Sequence, residues 1–351
     1  MGRRNLCGGP FFRMSMKKLT ILMPVRNEES FLQEALDSLS SQSYGDWECL
    51  IMDDASEDST ASILAAHAKA DSRFNILRSE RGLGIVKALN ILLGEAKTLF
   101  CARMDGDDIS LPERLYSQLD LIDRCEEVAL VGGLVKPLGE CREGWGDYLS
   151  WVNSVTTAED IRASALTESP LPHPTWLFRT NALKIAGGYR EGPFPEDYEL
   201  FLRLISSGVK CEKSQGFAVG WRDHPKRLTR TSKRTSGDAF LKIKAAYFKA
   251  LLEAGVYPEL SQLPLVIRGA GITGRLLKRE LNKAGVHVEA FIDPVKAGEN
   301  FDGAPVLSPD DLDPFKYLHL VAVRHRDSRE LVVKELNKSG LKFGRDYLLL
   351  Y

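Results

Sequence analysis

Over the first hundred positions, short apolar runs alternate with stretches whose apolar residues recur at helical spacing. Leu19-Thr20-Ile21-Leu22-Met23-Pro24-Val25 is an apolar run broken by proline, which predicts a strand. From Glu28 to Ser40, the residues Phe31, Leu32, Ala35, Leu36 and Leu39 fall on one face and predict a helix. Trp47 to Met52 reads as a second strand. A polar loop, Asp53-Asp54-Ala55-Ser56-Glu57-Asp58-Ser59-Thr60, opens a helix running from Ala61 to Ala70. Asn75 to Arg78 is a short strand, Gly84 to Ala96 a helix and Leu99 to Met104 a buried strand. This alternation predicts a mostly parallel sheet covered by helices. Ligands of such sheets sit beyond the carboxyl ends of the strands. Pro24-Val25-Arg26, Asp53-Asp54 and Asp105 to Asp107 all fall at such ends.

Farther along, Val128 to Lys136 predicts a strand, and Pro170-Leu171-Pro172-His173-Pro174 a rigid turn. Trp176 to Phe178 reads as a strand, and Ala182 to Ala186 as a short helix before Gly187-Gly188. Glu196 to Ser207 is an amphipathic helix entered through Pro195, and Phe217 to Trp221 is a strand. Gly237 to Ala254, rich in Ala, Leu and Lys, reads as a connecting helix. The pattern resets at Leu263. Strands are expected at Leu265 to Arg268, Val288 to Asp293, Leu318 to Val323 and Tyr347 to Leu350. Helices are expected from the glycine-rich turn to Ala284 and from Arg329 to Ser339. The resulting division is a tail at 1–16, an α/β domain at 17–236, a helical connector at 237–261 and a smaller α/β domain at 262–351.

A chain of 351 residues has room for two domains. Its 47 basic and 48 acidic side chains nearly cancel, which argues against a nucleic-acid partner held by bulk charge. The cysteines Cys7, Cys49, Cys101, Cys125, Cys141 and Cys211 are dispersed, with no C-x-x-C pair, and read as reduced, mostly buried thiols of a cytoplasmic protein. No apolar run approaches the ~20 residues of a membrane span. The tail carries Arg3, Arg4, Arg13 and Phe11-Phe12, followed by Lys17, but lacks the apolar core of a signal peptide. Met14 and Met16 are alternative starts, so the tail reads as dispensable; a weaker reading is peripheral contact with the inner face of the membrane.

The candidate chemistry begins at Asp105-Gly106-Asp107-Asp108, three carboxylates within four residues after a buried strand. Like charges this close call for a counter-charge, and hard oxygen donors suit Mg²⁺ or Mn²⁺ bridging to substrate phosphates. Taken alone, the run is equally a polar turn. Pro24-Val25-Arg26-Asn27-Glu28-Glu29 and Asp53-Asp54-Ala55-Ser56-Glu57-Asp58-Ser59-Thr60 precede it, and Phe194-Pro195-Glu196-Asp197-Tyr198-Glu199-Leu200 follows. With these four ordered motifs, the chain from roughly Lys18 to Ser236 resembles the family 2 glycosyltransferases, whose fold is GT-A. Their signatures are P-x-x-N-E, D-D-x-S-x-D-x-T, a D-x-D metal motif and an E-D pair.

The resemblance implies a nucleotide-diphospho-sugar transferase domain and, for the residues here, definite roles. Asp107, supported by Asp105, would hold the metal; Asp108 would join them or cap the next segment. Pro24, Val25, Arg26, Glu28 and Asp54 would hold base and ribose. Asp197, with Glu196 beside it, is the candidate general base of an inverting transfer, and its place at a helix start favours the charged form. Asp53, Ser56 and Asp58 read as turn or cap residues. His173 would line the acceptor side, although a lone histidine is more often structural. Arg222 and His224 would contact the diphosphate or complete the metal shell, and Arg227 and Arg230 read as a solvated face. No Q-x-x-R-W signature of the processive members is present, which implies a single transfer. The expected donor is UDP-linked, and the expected acceptor is a saccharide or lipid-linked sugar of surface-polysaccharide assembly.

Gly269, Gly271 and Gly274 form a G-x-G-x-x-G between strand and helix, with Asp293 ending the next strand. This unit resembles the small Rossmann-like domains that precede some bacterial sugar acyltransferases, and implies a second nucleotide site. The opposing reading is that the glycines only permit tight packing. The alternatives for the whole chain are a nucleotide-binding sensor without turnover and a nucleotidyltransferase. The latter usually carries a glycine-rich phosphate loop, where this chain has Pro24 to Glu29 without glycine. A redox enzyme is more distant, because no catalytic partner set accompanies the fingerprint.

Overall fold

The computed structural model describes residues 18–139, 144–225, 227–258 and 262–351. The tail at 1–16 with its membrane-contact reading, Lys17, Cys7 and Cys141 lie outside these residues. The chain begins with β1 (Leu19–Val25), α1 (Leu32–Ser40), β2 (Trp47–Asp53), α2 (Thr60–Ala70), β3 (Phe74–Arg78), α3 (Ile85–Glu95), β4 (Phe100–Arg103) and β5 (Ile109–Ser110). Next come α4 (Arg114–Arg124), β6 (Val128–Leu138), α5 (Trp145–Ser154), α6 (Ala158–Ala163), β7 (Leu177–Arg179), α7 (Thr180–Ile185), α8 (Glu196–Ser206) and β8 (Lys210–Arg222). The helices α9 (Leu228–Thr231) and α10 (Gly237–Glu253) lead out of this part.

The eight strands form one sheet in the order β3-β2-β1-β4-β7-β6-β8-β5. All seven residues of β1 are buried, as a central parallel strand requires. Its side chains alternate: Ile21 and Met23 join a cluster with Leu36, Trp47 and Leu115, while Leu22 joins another with Leu89 and Phe178. In-register pairing of Val25 with Asp53, and of Leu22 with Arg103, brings the carboxyl ends of β1, β2 and β4 to one edge.

The strands of the first hundred residues, β1 to β4, pair in parallel as expected. Beyond them the sheet becomes mixed, because β7 runs antiparallel to both β4 and β6, and β5 antiparallel to β8. The rigid turn before β7 becomes a 3₁₀ turn over His173–Thr175, and a strand of three residues carries no signal of its direction. The first helix starts at Leu32, not Glu28, because residues 27–29 are tied to the loop after β2, with Asn27 at a φ of 56°. Cys49, Cys101 and Cys211 are buried as expected, whereas Cys125 is exposed at the end of α4.

A second sheet holds β9 (Leu265–Arg268), β10 (Ala290–Ile292), β11 (Asn300–Phe301), β12 (Ala304–Leu307), β13 (Leu318–Val321) and β14 (Tyr347–Leu349), with α11 (Ile272–Lys283) and α12 (Arg326–Lys338) alongside. Its order is β11-β12-β10-β9-β13-β14, parallel except for the β11–β12 pair. The cluster that contains Leu22 and Phe178 continues through Phe248 of α10 to Leu265, Phe291 and Leu348, so the two sheets share one apolar core. Among the described residues, no helix is long and apolar enough to cross a membrane.

Candidate active site

A network of hydrogen bonds fixes the loops after β1 and β2 to each other. The amides of Asn27, Glu28 and Glu29 donate to Ser56 Oγ at 3.0 Å, Thr60 Oγ1 at 2.8 Å and Asp58 Oδ2 at 3.2 Å. In return, Asn27 Oδ1 accepts from the Glu57 amide at 2.9 Å and Glu29 Oε2 from the Ser59 amide at 3.0 Å. Asp53 Oδ1 accepts from the Ser56 amide at 2.9 Å. The polar D-D-x-S-x-D-x-T run therefore satisfies backbone donors that the loop would otherwise leave unpaired.

Asp54 turns the other way. Both of its oxygens accept backbone N–H groups, from Leu83 at 2.6 Å and Gly84 at 2.9 Å. It shapes the cavity wall in front of α3, with one acceptor position on each oxygen taken by the backbone. Arg26 lies at the exposed mouth, against Gly82, where a Cβ would sit 2.4 Å from its guanidinium.

The carboxylate run follows β4. Gly106 lets it pack onto β1, because a Cβ there would approach Val25 at 3.0 Å and Glu28 at 3.1 Å. Asp105, Asp107 and Asp108 each offer an oxygen, all within 4.8 Å of one another. Asp108 is buried; Oδ1 accepts from the Arg222 amide at 2.8 Å, and Oδ2 has no hydrogen-bond partner among the described residues. Burial, then the charges of Asp107 and Asp105, hold its carboxyl well above the usual range. Burial also raises Asp105, outweighing its ion pair with the buried Arg103. For Asp107 burial acts upward, but the His224 hydrogen bond and the Arg227 charge prevail and the net shift is downward. His224 Nε2 stands 2.8 Å from Asp107 Oδ2. An orphaned buried oxygen within a set of hard, mutually repelling oxygen donors fits a divalent cation.

Arg222 does not line the cavity. Its Nε donates to the Asp107 carbonyl at 2.8 Å, a terminal nitrogen to Glu34 Oε2 at 2.7 Å, and its guanidinium lies 4.3 Å from the Phe31 ring centroid. It braces the carboxylate loop from behind. Arg227, expected on a solvated face, instead lines the cavity over Trp145 and Trp221, at 5.0 and 4.8 Å. Arg230 is occupied by a bidentate pair with Asp223.

One cavity of about 520 Å³ joins these groups to the E-D pair. Pro24, Val25, Arg26, Glu28, Asp54, Asp105, Asp107, His173, Glu196, Asp197 and His224 all line it. Asp197 opens α8, and its Oδ1 accepts from the Tyr198 amide at 2.8 Å. Burial nevertheless raises its pKa, so desolvation exceeds the helix-start effect expected to keep it charged. Burial and then the Asp197 charge push Glu196 up to about 7. His173 is buried, with Nε2 2.8 Å from Tyr189 Oη and its ring edge-on to Trp176. Burial, then the Arg103 charge, lower its pKa well below the ordinary value and keep it neutral.

The cavity also holds Arg103, Tyr148, Glu168, Ser169 and Arg234, none of them singled out from the sequence. They stand outside every motif; only the charge of Arg103 beside the carboxylate run could have drawn notice.

Gly269, at a φ of 102°, and Gly274, where a Cβ would fall 1.9 Å from the Gly269 carbonyl, are sterically required by the turn before α11. Gly271 has open space around the Cβ position. Asp293 Oδ2 accepts from the Ala270 amide at 2.9 Å, and Oδ1 from the Val295 and Lys296 amides at 3.0 and 3.3 Å. The carboxylate of the candidate second nucleotide site is therefore engaged in holding its own turns.

A sequence profile described as Glycosyl transferase family 2 matches residues 20–185. The amylovoran biosynthesis glycosyltransferase AmsE of Erwinia amylovora is 30% identical over 191 residues, covering 54% of this chain and 70% of that protein. Among solved structures, residues 1–349 of S. aureus TarS in complex with UDP-GlcNAc align at a TM-score of 0.56 and 19% identity, over 76% of this chain and 71% of that one. The mannosyltransferase PcManGT from Pyrobaculum calidifontis, in complex with GDP-Man and Mn²⁺, aligns at 0.52 and 17% identity, over 76% and 73%. At these identities the structural likeness speaks for the fold alone, a GT-A-like mixed α/β sheet.

Proposed function

The chain belongs to glycosyl transferase family 2, and from that membership we propose an inverting, metal-dependent transfer of a sugar from a nucleotide-sugar to a saccharide acceptor. That it is a glycosyltransferase follows from the family; donor, metal dependence, stereochemistry and acceptor are the proposal. The observation that carries it is a single cavity lined at once by Asp105, Asp107 and Asp197.

Asp105, Asp107 and Asp108 would hold Mg²⁺ or Mn²⁺, with His224 orienting Asp107. The cation would neutralise the donor diphosphate and act as a Lewis acid toward its departure. Arg227 adds positive charge on the same wall. Asp197 takes the proton from the acceptor hydroxyl as that oxygen bonds to the anomeric carbon. The bond from the anomeric carbon to the diphosphate oxygen breaks, and the nucleoside diphosphate leaves with the electron pair. Attack from the face opposite the leaving group inverts the centre, through an oxocarbenium-like state. A UDP-linked donor and an acceptor in surface-polysaccharide assembly are the preferred assignments, supported by the relative AmsE, named for amylovoran biosynthesis, and by the UDP-GlcNAc complex of a structural neighbour. Lipid linkage of the acceptor, action at the inner face of the membrane, the domain bounds at 236 and 262 and a second nucleotide at the Gly269–Gly274 turn belong to the proposal; Asp293's engagement weighs against the last.

The test is transfer from UDP-GlcNAc with Mn²⁺, with EDTA, and by the variants Asp107→Asn and Asp197→Asn. Each substitution is expected to lower kcat/KM by 10²-fold or more, in keeping with loss of metal or general-base assistance. Retention of full transfer by both variants would overturn the proposal.

A further inference from the structure

Glu168 is a cavity carboxylate for which the proposed reaction has no use. It sits after α6, on residues 162–169, and this segment is held from several sides. Tyr198 Oη donates to the Ala165 carbonyl at 2.7 Å, and Tyr257 Oη to the Arg162 carbonyl at 3.0 Å. The ammonium of Lys244, on α10 and only 3% exposed, donates to the Thr167 carbonyl at 2.8 Å and to the Leu350 carbonyl at 2.7 Å. Thr167 Oγ1 donates to the Leu349 carbonyl at 3.1 Å. The cavity wall at Glu168 and Ser169 is thus pinned to the last strand of the second sheet.

So firm a mounting contrasts with a carboxylate that has no protein hydrogen bond or ion pair among the described residues. Burial raises Glu168 to about 7, against the pull of Lys244 and with the push of Asp197. Its charge also reaches Tyr148. Glu168 therefore shares a flank with the candidate base, Asp197. A carboxylate there repels a diphosphate, whose charge is matched instead by the cation site and by Arg227, whose charge acts on the carboxylate run. It suits neutral hydroxyl donors, which a sugar presents in numbers and a carboxylate accepts through charge-assisted bonds.

We propose that Glu168 is a specificity-determining residue that accepts a hydrogen bond from a hydroxyl of an uncharged acceptor sugar, and that Lys244 is the positioning residue that holds its segment. The assignment rests on the transferase reading above. It makes the second sheet part of acceptor recognition, through Leu350 and Lys244, without requiring a ligand of its own. An acceptor bearing a phosphate or carboxylate at this point would be repelled.

The experiment measures kcat and acceptor KM with UDP-GlcNAc and Mn²⁺, using p-nitrophenyl galactoside and p-nitrophenyl N-acetylglucosaminide as acceptors. Glu168→Gln keeps the shape and removes the charge. It is expected to raise acceptor KM about tenfold while the Kd for UDP in Mn²⁺, read by calorimetry, moves less than twofold. Lys244→Met is expected to shift acceptor KM in the same direction, with melting temperature recorded so that loss of fold is seen as such. An unchanged acceptor KM in Glu168→Gln, or a fall in kcat at constant KM, would overturn the assignment. A parent enzyme that binds UDP yet transfers to neither glycoside would instead count against the donor and acceptor reading on which it rests.

Discussion

Replacing Glu196 with glutamine asks whether Asp197 is the group that takes the proton. The two carboxylates are neighbours in the first turn of α8, and Glu196 is 9% exposed. Burial raises both, and each also feels the electrostatics of its surroundings; Glu196 is pushed up to about 7. A carboxylate serves as base only when ionised, so transfer rises with pH as Asp197 loses its proton. Removing the neighbouring negative charge makes that ionisation easier, and the acid limb must move to lower pH. Two unit charges roughly 7 Å apart repel by about 2 kcal/mol at an effective dielectric of about 20. That is roughly 1.5 pH units. The charge of Asp197 is among the causes that push Glu196 up to about 7, so Glu196 is largely protonated and uncharged where Asp197 ionises, and a downward shift of only a few tenths of a unit, well inside that bound, is expected. The assay is kcat/KM from about pH 5 to 9 at saturating Mn²⁺, with UDP binding measured over the same range to separate titration of the metal ligands. A limb that moves upward, or downward by a full unit or more, would refute the reasoning. Abolished transfer in Glu196→Gln, with transfer retained in Asp197→Asn, would hand the proton to Glu196.

Arg222→Lys removes the bonds to the Asp107 carbonyl and Glu34 and the stack on Phe31; a loss of about 1–2 kcal/mol of loop order should weaken Mn²⁺ about tenfold at fixed UDP, as read by calorimetric titration. Unchanged metal affinity would mean that Arg222 is no brace. Gly274→Ala forces a Cβ onto the Gly269 carbonyl and is expected to lower the melting temperature by several degrees, from about 1–3 kcal/mol of strain, in a single calorimetric transition.

The strands β1, β2 and β9 are legible because their apolar runs are short and dense and end at arginine, aspartate or glycine, and the edge where the polar motifs meet follows from parallel strand geometry. Helix α4 is not legible, because its buried face includes Arg114 and Gln118, which break the apolar period. Arg114 is spent on the Arg103 carbonyl at 2.6 Å, a tertiary contact no local pattern records. The long β8 reads only in its second half, since its first half buries Lys213 and Ser214. Within the site, residues carried by motifs could be named, but a motif does not separate those facing the cavity, such as Asp105 and Asp107, from one buried behind it, such as Asp108. Glu168 and Arg234 come from segments whose sequence is ordinary, and only folding brings them to the site. The glycine fingerprint illustrates the reverse: its residues are where the pattern places them, but the steric demands of the turn already account for Gly269 and Gly274.

The apolar core shared by the two sheets limits how this protein can vary. A unit carried on a loose tether can be lost or exchanged between lineages with little consequence for its neighbour. Here Phe248 and Leu251 of α10 lie in one buried cluster with Phe201 on one side and Leu265, Phe291 and Leu348 on the other. A change of volume on either side must be answered on the other, so the two halves are expected to diverge in step and to make poor material for recombination. Chimaeras joined within α10 would bury mismatched faces, and would fail by loss of solubility before any change in sugar choice could be seen.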